Sequence, residues 1–82
     1  MHIRFRFHCA DLPDFGPEPE CDVAGGATVE EALRAYAYSH QLEGVLDQLL
    51  TSMYLIGKRS AGLDTVLHEG DELKVLRILH GG

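Results

Sequence analysis

Nothing in this sequence approaches the run of about 18 apolar residues that a membrane-spanning helix needs. Its first residues, Met1-His2-Ile3-Arg4, lack the apolar stretch of a secretory signal. Both absences point to a cytoplasmic protein, in which the two cysteines, Cys9 and Cys21, are expected to be free thiols. Basic residues are few and scattered: seven Lys and Arg stand against thirteen Asp and Glu, giving a net charge of −6. Nucleic-acid binding draws on a clustered positive face that engages phosphates, so that partner class is excluded. The five histidines show no zinc-motif spacing, and no metal site is expected. Gly25-Gly26 lacks the Gly-Lys-Ser/Thr continuation of a phosphate-binding loop. A chain of 82 residues buries too little surface for a deep enclosed active site. No pair of side chains forms an acid–base or nucleophilic unit, so no catalytic residue is assigned and no bound cofactor is expected.

What is present reads as one domain over residues 1–82, without repeats or low-complexity segments. From His2 to Cys9 the pattern alternates, with Ile3, Phe5, Phe7 and Cys9 on one face and His2, Arg4, Arg6 and His8 on the other. That period of two predicts a half-buried strand. Residues 10–19 carry three prolines and a glycine and read as a loop, followed by a short strand over Glu20 to Ala24. Across that hairpin Cys9 and Cys21 have the chance to approach each other. Thr28 with Glu31 predicts a capping box at a helix start, and Val29, Ala32, Leu33, Tyr36 and Ala37 form its apolar stripe. The helix should fade near Ser39-His40, leaving Tyr36 in the core and Tyr38 exposed. Val45 to Leu50 reads as a short helical turn, Met53 to Ile56 as a buried strand and Lys58 to Gly62 as a polar turn. Leu63 to Leu67 is open between a brief strand and a turn of 3₁₀ helix. His68-Glu69-Gly70-Asp71 is a tight turn, and the last strand runs from Glu72 to about Leu79. One helix across one face of a mixed sheet of four or five strands is a two-layer α+β fold.

The chemistry resides in the final residues. Gly81-Gly82 follows a strong strand, and residues from about 79 to 82 read as a flexible tail. Glycine has no Cβ, so backbone and carboxylate can approach a partner's groups closely. A carboxylate becomes an acyl donor once ATP converts it to an acyl adenylate, and attack by sulfur then yields a thiocarboxylate.

Thr28-Val29-Glu30-Glu31, Leu67-His68-Glu69-Gly70-Asp71-Glu72-Leu73 and terminal Gly81-Gly82, in this order of elements, resemble the ubiquitin-like β-grasp sulfur carriers. These are the small subunit of molybdopterin synthase and the thiamine-biosynthesis sulfur carrier. The stretch Val75-Leu76-Arg77-Ile78-Leu79-His80-Gly81-Gly82 is also similar to the tail of ubiquitin. Chain length and the long first connection place the resemblance nearer the molybdopterin branch. Ile56-Gly57-Lys58 stands where the family usually has an Asn-Gly-type turn, and His80 where that branch has paired prolines.

The resemblance implies a β-grasp fold and a carrier, not an enzyme, whose Gly82 is adenylated and thiocarboxylated. It implies three partners: an ATP-using adenylating enzyme of the ubiquitin-activating type, a sulfur donor such as a cysteine desulfurase, and a downstream synthase. That synthase would be the large subunit of molybdopterin synthase or, in the thiamine branch, thiazole synthase. Gly81, His80, Leu79 and Ile78 would be recognised with the tail.

Leu76, Ile78 and Leu79 leave apolar groups on both strand faces, consistent with a strand covered on both sides or with an exposed partner surface. Arg77, Arg4 and Arg6 are assigned to that surface with Leu76, although a basic stripe of Arg4, Arg6 and His8 also suits simple solvation. A protein modifier joined to lysine through Gly82, and a non-covalent β-grasp binding module, are the rival functions.

Overall fold

The computed structural model describes residues 1–12, 15–16 and 19–77. The alternation at the start of the chain becomes β1 (His2–Cys9), with Ile3 and Phe5 buried and Arg4, Arg6 and His8 exposed on the opposite face. It pairs antiparallel with β2 (Glu20–Asp22), in the register Ile3 opposite Cys21. That strand is shorter than the Glu20–Ala24 expected. Beyond its ladder, Met1 and Val23 exchange two hydrogen bonds at the rim, Val23 N–H donating to the Met1 carbonyl and the Met1 amino group to the Val23 carbonyl, each at 2.8 Å.

Helix α1 (Val29–Ser39) starts as the sequence requires. The Thr28 hydroxyl accepts from Glu31 N–H at 3.3 Å, and the Glu31 carboxylate accepts from Thr28 N–H at 3.0 Å. Both are donors that a helix end otherwise leaves unpaired. Val29 and Glu30 donate instead to the carbonyls of Thr65 and Leu63, each at 3.0 Å. This explains why the segment 63–67 is neither strand nor 3₁₀ helix: its carbonyls serve the start of α1, and only an isolated bridge joins Val66 to Thr28.

A 3₁₀ turn (Glu43–Val45) leads into α2 (Leu46–Leu50), which contributes the buried Leu49. Strand β3 (Met53–Ile56) then pairs antiparallel with β4 (Arg59–Ala61). The Lys58–Gly62 stretch was expected as a turn, and most of it is this edge strand. Three residues, Arg-Ser-Ala, carry no apolar alternation to announce them. The hairpin turn is only Gly57-Lys58, with Gly57 at φ 62°, the glycine-first arrangement of a two-residue hairpin. At His68–Asp71, Asp71 N–H donates to the His68 carbonyl and Gly70 takes φ 81°, the left-handed third position that favours glycine.

The last strand, β5 (Glu72–Arg77), lies in the middle of the sheet, in the order β2-β1-β5-β3-β4. It runs parallel to β1 and antiparallel to β3. The helices cover one face. There Ile3, Phe5, Tyr54, Ile56, Leu73 and Val75 from the sheet meet Val29, Ala32, Leu33, Tyr36 and Ala37 from α1, with Leu49 and Leu67 closing the ends. Phe15, in the β1–β2 connection, packs edge-on against Phe7 at 4.5 Å between ring centroids. This is the α+β β-grasp topology implied by the resemblance.

Candidate functional site

Strand β5 brings together most of the described residues assigned to the site. Its alternation sends Leu73 and Val75 inward and Glu72, Lys74 and Leu76 to the uncovered face. Pairing then fixes their neighbours: Leu76 lies between His8 and Met53, and Lys74 between Arg6 and Leu55. Glu72 lies beside Arg4. It accepts an ion pair from Arg6 Nε at 3.2 Å. Arg4 and Lys74 have no ion-pair partner among the described residues. The outer face therefore carries an apolar corner of Met53, Leu55 and Leu76 beside a basic row of Arg4, Arg6 and Lys74.

The strand Met53–Ile56 is not buried throughout, as its unbroken apolar run suggested. Tyr54 and Ile56 face the core, whereas Met53 is 65% exposed and Leu55 is half-buried. Sequence reasoning missed both residues as surface, because a run of four apolar residues does not show which face is covered. The signal lay in the neighbour: Leu76 projects outward on β5, and Met53 is its cross-strand partner.

Arg77 ends β5 with its side chain turned away from that outer face. Its guanidinium reaches Asp11 on the β1–β2 connection and the carbonyl of Gln48 in α2. Because β1 and β5 are parallel, Cys9 and Arg77 are paired at the same rim of the sheet. Ile78, Leu79, His80, Gly81 and Gly82 lie outside the described residues.

The thiols are held apart. Cys21 is opposite Ile3, six residues along β1 from Cys9, or roughly 20 Å in an extended strand. Cys9 Sγ donates to the Val75 carbonyl at 3.5 Å, and burial pushes its pKa up, reinforced by the Asp11 carboxylate and opposed by Arg77. Burial, with Asp22 adding to it, pushes Cys21 up to about 11. Neither environment favours the thiolate, the reactive form.

At the far rim, the His2 ring lies 3.0 Å from Asp22 and 3.3 Å from Glu20. The hydrogen bond to Asp22 leads the causes that raise its pKa, with Glu20 adding to it. Among the described residues no cluster of three or more His, Cys, Asp or Glu could hold a metal ion. No helix among them is long and apolar enough to cross a membrane.

This architecture, a central β5 parallel to β1 with α1 across one face, is the ubiquitin-like β-grasp fold. The chain is similar along its whole length to the crystal structure of SAMP1 from Haloferax volcanii. The TM-score is 0.78 and the sequence identity 24%, with 100% of both chains covered. No protein-family model and no curated protein matches the chain.

Proposed function

We propose that this chain is a sulfur carrier whose working group is the C-terminal carboxylate of Gly82. An adenylating enzyme would join that carboxylate to AMP at the expense of ATP, releasing pyrophosphate. Attack by hydrosulfide on the acyl carbon would then expel AMP and leave a thiocarboxylate. A persulfide donor would instead expel AMP to give an acyl disulfide, which a second thiol would reduce to the thiocarboxylate, forming a disulfide with the donor. A thiocarboxylate is a soft nucleophile suited to delivering sulfur to a carbon electrophile. The most specific form of this reading is supply of sulfur to molybdopterin in molybdenum or tungsten cofactor synthesis, through the large subunit of the synthase. A thiamine-type acceptor would use the same carrier chemistry.

One observation carries the reading: the central strand of a β-grasp sheet leads, within five residues, to Gly82. Five residues extend at most about 18 Å from the rim of the sheet. The outer face of β1, β5 and β3 would dock the partner, while the glycines present the carboxylate to it.

Modification of lysine through Gly82 is the second reading, and the ubiquitin-like sequence from Val75 to Gly82 favours it. The two share the adenylation step and differ in the nucleophile that follows.

Candidate adenylating enzymes would be tested by exchange of labelled pyrophosphate into ATP. Exchange should depend on the intact chain and vanish when Gly82 is deleted, with the circular dichroism spectrum unchanged. Equal exchange with the deleted chain would remove Gly82 from the chemistry. An isopeptide-linked ladder in lysate, lost on deletion of both glycines, would favour the modifier reading.

A further inference from the structure

Arg77 is the last described residue of the strand that leads to Gly82, and its side chain is engaged from two directions. Its Nε lies 3.0 Å from both Asp11 carboxylate oxygens, and its NH2 group lies 3.0 Å from one of them. Its NH1 group donates to the Gln48 carbonyl at 2.6 Å, with the hydroxyls of Thr51 and Ser52 each at 3.3 Å. Asp11 belongs to the β1–β2 connection. Gln48, Thr51 and Ser52 belong to the end of α2 and the residues after it, where the negative end of the helix dipole favours a cation. The Gln48 carbonyl also accepts from the Ser52 hydroxyl at 2.6 Å and from the Thr51 N–H at 3.3 Å. The side chains of Arg77 and Asp11 are 21% and 25% exposed, so solvent screens this pair less than an open surface bridge. A planar guanidinium grips a carboxylate with a two-donor fork and keeps further donors for a carbonyl, a geometry that an ammonium lacks.

We propose that this clasp makes Arg77 a positioning residue for activation of the tail, a role that rests on the carrier reading above. Strand ends fray, and each residue released from the end of β5 would move the root of the tail by about 3.3 Å. It would also add backbone freedom that has to be lost again when Gly82 is seated beside a nucleotide. By tying the end of β5 to two other elements, the clasp gives the five residues 78–82 a constant point of departure. The outer face and the clasp therefore divide the work. Arg4, Lys74, Met53 and Leu76 govern how tightly the body docks, whereas Asp11 and Arg77 govern how often a docked body presents its carboxylate.

That division predicts a split in the kinetics of pyrophosphate exchange. Arg77→Ala and Asp11→Asn should lower kcat by on the order of 10-fold while KM for the carrier changes less than about twofold. Arg77→Lys, which keeps one donor for Gln48, should recover part of kcat. Thermal melting of each variant establishes that it is folded at the assay temperature, and Asp11→Asn serves as the mild substitution if Arg77→Ala fails to fold. Activation of the unaltered chain together with an unchanged kcat in a folded variant would overturn the positioning role alone. A loss confined to KM would also overturn it, moving Arg77 to the docking surface. If no adenylating enzyme of the same cell activates the unaltered chain, the carrier reading fails and the positioning role goes with it.

Discussion

At the scale of single residues, the two thiols are the groups most easily mistaken for chemistry under the proposed sulfur-carrier reading. Their surroundings argue otherwise. Burial, with Asp22 adding to it, raises Cys21 to about 11, which keeps it a thiol at neutral pH. Cys9 is half-buried, shifted in the same direction, and donates to a carbonyl of the central strand. Both behave as small apolar side chains packed against the core. A chain carrying Cys9→Ala and Cys21→Ala together should therefore accept sulfur at its C-terminus as fast as the unaltered chain, read by intact mass. A folded double variant that failed to load sulfur would make one of the thiols a relay. The inward facing of Cys9 was legible in the alternation of β1. Its distance from Cys21 was not, because hairpin register depends on a connection that composition does not measure.

At the scale of elements, the helix was the most legible part of the chain. Thr28, Glu31 and the stripe from Val29 to Ala37 name its start and its buried face, and each is found as expected. Its end follows a different rule. Gln41 takes the left-handed conformation, φ 58°, where a helix terminus usually places glycine, and Leu42 N–H then bonds back to the Ala37 carbonyl at 2.7 Å. Gln41→Gly should relieve that conformation and raise stability by about 0.5–1 kcal/mol. For a domain of this size the melting midpoint would rise by roughly 2–8 °C. A midpoint that fell would show that backbone entropy in the unfolded chain outweighs the strain. The strands were less legible at their edges. The apolar run Met53–Ile56 correctly announced a strand but not its open face, and the polar Arg59–Ala61 announced nothing. What decides both is pairing: β3 lies between β5 and β4 with its outer side uncovered.

At the scale of the whole molecule, the net charge of −6 conceals an uneven distribution. The outer sheet face carries Arg4, Arg6 and Lys74 around an apolar corner, and the ion pair to Glu72 neutralises only part of it. An acidic protein with one basic and apolar face is suited to a partner with an acidic rim, and such complementarity acts mainly on encounter rate and orientation. The same view explains how far the site could be read in advance. Gly81-Gly82 and the outward Leu76 are local features, visible in the order of residues. The clasp is not local, since Arg77 reaches Asp11 across 66 positions and Gln48 across 29. Only the parallel pairing of the first and last strands brings them to one rim. The sequence assigns Arg77 to a partner surface beside Leu76, and in the fold its side chain is engaged within the chain itself.

The central claim is that Gly82 carries sulfur. Its most direct test is the intact mass of the chain after incubation with an adenylating enzyme of the same cell, ATP and a sulfur source. The account predicts an ATP-dependent gain equal to the replacement of one oxygen by sulfur, localised by fragmentation to Gly82. No gain with any such enzyme, or a gain localised to another residue, would contradict it.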